Sequence, residues 1–595
     1  MPPRSAAKTA TSAAALGYDP AEAALARPKM TAGAAGDAAS AEALARIDSA
    51  LRELKAMAAK PLLEKAIEAI RAEDAQAASD WALKGLEKDE QNGFGWYLLG
   101  IAREKAGDFA SSIRAYESAL RLIPDHGAVA NDLGRLAYRL GMKETAEKLF
   151  LHFIASHPDS EEGANNLACA VRDQGRFEEA IEILRPAIVA RPDNAILWNT
   201  LGSVVAEQGD PASSITFFDE ALRLDPGAAK ARYNRGNARV PLGDLEGALE
   251  DCERALRIPV AEPERQMMLL ARSTIQVARG ELGRGWEDYE ARLHPQFADV
   301  THFMVDRPQW TPDADLAGKT LLVVGEQGLG DEVLFANLLP DVVEALGPEG
   351  RLLIAVEPRL VPLFQRAFPS AEVGAHATYT VDGHCVRGTP FVHDQGVVDL
   401  WVPMASLLRR FRPSVEAFPA RERYMRADPA RVAHWKAELD RLPGRKVGVV
   451  WKSLKLDRAR ARFFSLFHQW APVLRAPGVT IVNLQYGDCA PELAIARTEM
   501  GVDIWDPPGI DLKQDLDDVA ALSSALDLVI GPANATTNIA AACGAPVWLI
   551  STPGAWPRLG TDRYPWYPQA RVFLPEAFGE WSGVMAQIAA ALAED

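Results

Sequence analysis

Leu321 to Val324 form an unbroken apolar run, and beyond it Val333, Leu334, Phe335, Leu338 and Leu339 recur at helical spacing. The first pattern predicts a short strand buried on both faces, the second an amphipathic helix. Between them Gly325, Gly328 and Gly330 mark a tight turn, and Asp331 and Glu332 place acids in the first turn of the helix. Strand, glycine-rich turn and helix form the opening unit of a nucleotide-type α/β fold, where backbone N–H groups face a ligand. The alternation continues with strands over 351–356 and 391–402 and a helix over 361–368, and the first half ends near Arg421. A connecting helix over 429–442 leads to strands over 446–451, 479–484, 526–530 and 546–550. Two doubly wound halves with the ligand in the cleft are expected, and the last amphipathic helix, 581–592, is expected to cross back onto the first half.

Upstream the period changes. Gly107, Gly141, Gly175, Gly209 and Gly243 fall 34 residues apart, and Pro124, Pro158, Pro192 and Pro226 keep that interval. Trp96, Leu99, Gly100, Tyr116 and Ala119 fill one cycle, and Trp198, Leu201, Gly202, Phe218 and Ala221 another. Two independent markers sharing one period resemble the tetratricopeptide repeat, a pair of antiparallel helices per cycle. A cycle without its Pro precedes at 59–92 and a degraded one with Gly280, Trp286 and Tyr289 follows, giving about six or seven repeats over 59–294. Asn131, Asn165 and Asn199 stand at one place in three successive cycles. There they are expected to line a concave groove, offering paired donors and acceptors to a polypeptide acceptor; the plainer reading is solvated helix residues. The domain boundaries expected are an Ala-rich lead-in at 1–40, repeats at 41–294, a linker at 295–318, a first α/β half at 319–425 and a second at 426–595.

Charge and composition narrow the function. A net charge of −17 argues against a general nucleic-acid binder, which needs a basic surface. The five cysteines are scattered and never paired as C-x-x-C, the usage of a reducing compartment, and no metal site is expected. No apolar run approaches the length of a membrane span, and the N-terminus lacks the apolar core of a signal peptide, so a cytoplasmic protein with no membrane partner is expected.

Chemistry is expected at both strand–turn–helix units. In the second half a strand runs into Asn534, Ala535, Thr536, Thr537 and Asn538, whose small and polar side chains suit a phosphate at a helix N-terminus; the plainer reading is a well-capped helix. Between the halves Lys452 and Ser453 open a loop holding Lys455, Arg458, Arg460 and Arg462, a local basic cluster able to neutralise a nucleotide phosphate unless it is only a solvated loop. In the first half Asp331 is the leading general base, with Glu326, Glu332, His393 and Asp394 in reserve; alternatively Asp331 only complements the helix dipole.

The stretches GEQGLGDEVLFANLLP, VVWKS, LQYGD (with Gln485) and GPANATTNIAAACGAPVW followed by WYP resemble the GT-B glycosyltransferases related to bacterial heptosyltransferases. Their fusion to repeats is similar to bacterial protein O-glycosyltransferases, flagellin glycosyltransferases among them, and in layout to the eukaryotic O-GlcNAc transferase. The resemblance covers about residue 60 onward. It implies a repeat array followed by a GT-B double-Rossmann domain, and inverting, metal-independent transfer from a nucleotide sugar to a protein acceptor. It places the base at Gly330-Asp331 and donor contacts at Gly328, Gly330, Lys452, Ser453, Gln485 and 534–538. The sequence departs from that pattern at Ala533 and Asn538, where an acid and a His are usual. That departure favours a donor needing few phosphate contacts, such as a CMP-linked nonulosonic acid. The alternatives are transfer to a lipopolysaccharide-type glycan, or a repeat scaffold with a degenerate transferase half. A Rossmann dehydrogenase is disfavoured because the turn reads G-E-Q-G-L-G and not G-x-G-x-x-G.

Overall fold

A computed structural model describes residues 38–297, 299–326, 328–381, 384–453 and 463–594, with side chains from residue 45. Its contacts divide the chain into two compact units, 1–204 and 205–595.

The first unit is built of helical hairpins: Ala38–Arg71 with Ala75–Lys88, Gly93–Lys105 with Phe109–Leu122, Gly127–Arg139 with Lys143–Ser156, and Glu161–Asp173 with Phe177–Ala190. The 34-residue markers have distinct physical causes. Gly100 and Gly134 sit where the helices cross, and a methyl group on either would come within 2.6 Å of the Tyr116 or Phe150 ring. Gly107, Gly141 and Gly175 turn the chain between the paired helices at φ of 79°, 77° and 74°, a region closed to most side chains. The prolines stand two residues beyond the last helical residues Leu122, Ser156 and Ala190, because the residue before Pro leaves the helical region. In the first hairpin Glu73 fills the turn position 34 residues before Gly107, at φ 59°.

The second unit opens with the helix Pro211–Leu224, followed by the hairpins Ala229–Arg239 with Leu245–Leu256 and Glu262–Ala278 with Leu282–Tyr289. It then forms three sheets. Strands β1 (Thr301–Phe303), β5 (Ala377–Val381) and β6 (His384–Gly388) make a small sheet ordered β1-β6-β5. Strands β2 (Thr320–Val324), β3 (Arg351–Val356), β4 (Glu372–Ala375) and β7 (Leu400–Pro403) make the first-half sheet, all parallel, ordered β4-β3-β2-β7. Strands β8 (Arg445–Val449), β9 (Val479–Asn483), β10 (Leu528–Pro532), β11 (Val547–Ile550) and β12 (Ala570–Phe573) make the second, also parallel, ordered β12-β11-β10-β8-β9. Strand β2 is buried on both faces as its composition requires. Leu321 and Val323 join one apolar cluster, and Leu322 and Val324 join another on the opposite face.

Three expectations need correction. The stretch expected as a linker packs into the first half: Val300, Trp310 and Leu316 are buried, and β1 pairs with β6. Burial of these apolar side chains outweighs the turn signal of its prolines. The strand expected over 391–402 is confined to β7, while the β5–β6 hairpin arises from residues with no clear alternation. The final helix, Trp581–Glu594, buries Trp581, Val584, Met585 and Ile588 against the second half, among Trp470, Val473 and Ile481. The segment that crosses to the first half is Trp556–Tyr567: Trp566 packs on Phe335 and accepts a hydrogen bond from Asn337 Nδ2 at 3.2 Å, and Tyr567 stacks on Tyr424.

The last repeat hairpins belong to this unit and grip it closely. Trp286 Nε1 donates to the Arg412 carbonyl at 2.8 Å. Gly554 lies so near Val240 that a methyl group there would fall 2.0 Å from the Val240 carbonyl oxygen.

The left-handed Glu73 stores strain of roughly 1 kcal/mol relative to glycine. Glu73→Gly is expected to slow amide exchange in the two helices of that hairpin about fivefold, by roughly that 1 kcal/mol. Faster exchange would show that Glu73 is held there by contacts worth more than the strain.

Candidate functional site

Ligands of doubly wound sheets bind beyond the strand ends where the strand order reverses. In the first half that crevice lies between the ends of β2 and β7, at Gly325–Glu326 and Met404–Ser406; in the second it lies between β8 and β10, at Val450–Ser453 and Ala533–Asn534. The glycine turn, the WKS strand end and the Asn534 turn therefore occupy these positions because of strand order, not sequence proximity.

The first crevice is closed by a buried ion pair. Glu326 receives Arg292 Nε and Nη2, each at 2.8 Å, and the Ala405 N–H at 2.9 Å. Arg292 also donates to Ser406 Oγ at 2.9 Å and Glu290 Oε1 at 2.7 Å. Its charge survives burial because two carboxylates face it. With both oxygens engaged by a guanidinium, Glu326 is not free to act as a base, which corrects the expectation for it.

Glu332 is also structural. Its Oε2 accepts from the Glu357 N–H at 2.8 Å, its Oε1 lies 3.0 Å from His376 Nε2, and it is 2% exposed. The side chain lies over Gly325, where an added methyl would come within 2.5 Å of the Glu332 carboxyl carbon. Gly325 thus makes room for a carboxylate of the same chain. His393 and Asp394 lie exposed on the surface, and Asp394 caps the turn at Gln395–Val397.

Asp331 differs. It follows Gly328 and Gly330 in the short helix Leu329–Phe335, is half-buried, and pairs with no cation among the described residues. Burial raises its carboxyl to about 6, the Gly328 N–H pulls it down, and the charges of Glu332 and Glu326 push it further up. Its charge reaches the hydroxyls of Tyr289, from the last repeat hairpin, and Tyr564, from the crossing segment. Three elements distant in sequence thus share one electrostatic environment.

The second-half turn meets the first directly. Asn538 Nδ2 donates to the Gly330 carbonyl at 2.9 Å, and the Ala535 backbone nitrogen lies 3.2 Å from where a Gly330 methyl would stand. Gly330 is therefore a point of close helix approach, and Asn538 a clasp between the halves. Asn534 and Thr537 cap the helix Ala535–Ala542 reciprocally: Thr537 N–H donates to Asn534 Oδ1 at 3.2 Å, and Asn534 N–H to Thr537 Oγ1 at 2.9 Å. Thr536 is buried. Among the described residues Asn534 Nδ2 and Asn538 Oδ1 remain buried without a partner, one donor and one acceptor at the seam.

Gln485 and Lys452 are corrected as well. Gln485 Oε1 accepts the Trp451 and Lys452 N–H groups, each at 2.9 Å, and its Nε2 donates to the Lys452 and Tyr486 carbonyls, so it brackets two strand ends. The Lys452 ammonium pairs with Glu492 and donates to the Asp488 carbonyl at 3.1 Å. Ser453 is half-buried at the end of this strand. Lys455, Arg458, Arg460 and Arg462 lie outside the described residues.

The repeat asparagines do not form a free ladder. Asn131 Nδ2 donates to Glu162 at 2.8 Å and its Oδ1 accepts from Asn166 at 3.1 Å, while Asn165 Oδ1 accepts from Thr200 at 2.6 Å. Each bond joins one repeat to the next, because that helix position faces the following repeat. Asn199 is half-buried.

Two cavities border the last hairpins. One of about 260 Å³ lies among Tyr289, Arg292, Phe297, Asp299, Thr301 and Glu326. Another of about 340 Å³ lies among Asn237, Thr274, Ile275, Phe463, Thr552 and Trp556. Trp286, Tyr289 and Arg292 of the degraded repeat enter the site, a role the repeat pattern does not predict. Their spacing of three residues along one helix face was the available signal. Among the described residues no group of three or more His, Cys, Asp or Glu side chains is placed to hold a metal ion, and no helix is long and apolar enough to cross a membrane.

The tetratricopeptide repeat family model matches residues 97–161, 165–229 and 218–263. The chain is 52% identical over 566 residues to Protein FlbA of Caulobacter vibrioides, covering 95% of both chains. A TPR repeat-containing protein of Pseudomonas aeruginosa is 39% identical over 54 residues, 9% of this chain and 51% of that one. Among solved structures, a tetratricopeptide repeat protein from Parabacteroides merdae aligns with 39% of this chain and 91% of its own at 16% identity and a TM-score of 0.36.

Because the native state holds the Asp331 proton more tightly than the unfolded chain, its contribution to stability is full below about pH 4 and lost as pH rises through about 6. Asp331→Asn keeps the uncharged form and is expected to stabilise the protein by roughly 1 kcal/mol at pH 7 in denaturant unfolding. A residue that served only the helix dipole would give the opposite sign. Arg292→Met leaves Glu326 buried and unpaired, and a loss of about 3–5 kcal/mol is expected in the same measurement.

Proposed function

We propose that this chain, which belongs to the family of the protein FlbA, is a protein O-glycosyltransferase of GT-B type, with the repeats recruiting a protein acceptor. The observation that carries this reading is Asp331: of the three acids at the glycine turn it alone is not tied to a neighbouring side chain among the described residues, and its carboxyl is raised to about 6. A carboxylate of that basicity at the meeting of two doubly wound halves suits a general base. It takes the proton of an acceptor Ser or Thr hydroxyl as that oxygen attacks the anomeric carbon of the donor sugar. The sugar–phosphate bond breaks and the nucleotide leaves, with inversion at carbon. No resident metal or cofactor is called for.

The donor is a nucleotide sugar seated on the second half. Asn534 Nδ2 and Asn538 Oδ1 supply one donor and one acceptor at the seam. Lys452, Gln485 and Thr537 are engaged within the protein, so few groups remain for phosphate. This supports a monophosphate donor, a CMP-linked nonulosonic acid such as pseudaminic acid. The acceptor most in keeping with the repeat–transferase layout is flagellin, in the cytoplasm.

A second reading, a repeat scaffold whose α/β half binds without catalysing, draws on the same occupancy of the donor-side residues. The two readings separate in one experiment. Purified protein is incubated with flagellin and a panel of CMP-, UDP- and ADP-sugars, and intact mass is measured. A discrete mass gain is expected with one donor class, lost in Asp331→Ala. Its rate should climb as pH rises through about 6, where Asp331 loses its proton, and level off above. Flagellin binding without a mass gain from any donor would overturn the catalytic reading.

A further inference from the structure

The helix Ala38–Arg71 changes character along its length. Its C-terminal part packs Ala59, Leu63 and Ala66 against the next helix, whereas every residue from 45 to 58 is exposed. Within that free stretch Ile47, Leu51, Leu54 and Met57 are 56%, 48%, 63% and 72% exposed, among the largest apolar exposures of the described chain. Ile47, Leu51, Leu54 and Ala58 follow a 4-3-4 spacing, the seam of a coiled coil, which Leu44 extends in the sequence. A lone helix of this length is marginal in water, so an apolar seam on it calls for a partner helix.

The flanks of the seam identify the partner and its direction. At 3.6 residues per turn, Asp48 and Lys55 line one side of the seam and Ala50 and Met57 the other. Among the described residues neither Asp48 nor Lys55 forms an ion pair. In a parallel pair of identical helices the charged flank would face the uncharged one. In an antiparallel pair like flanks meet, so Asp48 of each copy faces Lys55 of the other, and small Ala50 faces bulky Met57. We infer that the stretch 45–58 is a self-association surface, pairing antiparallel with a second copy of this chain about a two-fold axis near Leu51. The interface is isologous: two identical ion pairs flank one apolar seam. Four apolar side chains per copy cover less than the roughly 800 Å² per partner of a standard interface, so a weak, concentration-dependent dimer is expected.

Sedimentation velocity of the full chain from sub-micromolar to about 100 µM tests this. A concentration-dependent dimer is expected, and Leu51→Glu should hold the chain monomeric throughout without changing its circular dichroism. Asp48→Lys should weaken the dimer at least tenfold by setting like charges face to face, and the double swap Asp48→Lys with Lys55→Asp should restore it. The swap touches only surface charges, so recovery does not depend on core folding. A chain monomeric at every concentration, a dimer indifferent to Leu51→Glu, or a double swap that fails to recover would each overturn the proposal. So would a monomer in which Leu51→Glu abolishes acceptor binding, since the face would then belong to the acceptor.

Discussion

The ion pair between Arg292 and Glu326 sets the frame for the rest of the second unit. Both side chains are almost wholly buried, so neither charge is tolerable without the other. Arg292 closes the last repeat hairpin, Glu326 follows β2, and the Ala405 N–H that shares the carboxylate follows β7. One bidentate contact therefore fastens the end of the repeats to the point where the first sheet reverses its strand order. A hydrophobic pair could have filled the volume, but it would not have fixed the orientation of the glycine turn, which needs directional bonds.

The remaining acids of the turn follow from that frame. Glu332 is turned away, over Gly325, to hold the Glu357 N–H and meet His376. Asp331, one residue earlier on the helix, has no such partner among the described residues. Burial above all, and then the charges of Glu332 and Glu326, raise its proton affinity. Three carboxylates within seven residues thus divide into two that are tied to neighbouring groups and one that, among the described residues, is not.

The meeting of the halves works the same way. Gly330 admits the backbone of the second-half helix, and Asn538 clasps its carbonyl. The residue that departs from the heptosyltransferase-like pattern is a structural clasp, and its amide oxygen stays buried without a hydrogen-bond partner among the described residues. The same substitution of contact for chemistry holds in the repeats, where Asn131 and Asn165 join neighbouring helices.

Local and periodic features were legible in the sequence. The 34-residue period reports helix crossings at Gly100 and Gly134 and left-handed turns at Gly107, Gly141 and Gly175, each a constraint acting within one hairpin. The apolar run at Leu321–Val324 reports a strand covered on both faces. Strand order, and the use of each polar side chain, were decided only by the tertiary structure. Whether Glu326, Lys452 or Gln485 faces a ligand or a neighbour depends on groups 34, 40 and 33 residues away or further. Chain periodicity carries no record of such partners, because a carboxylate or an amide has the same local preferences whether its hydrogen bonds go to substrate or to the protein's own backbone.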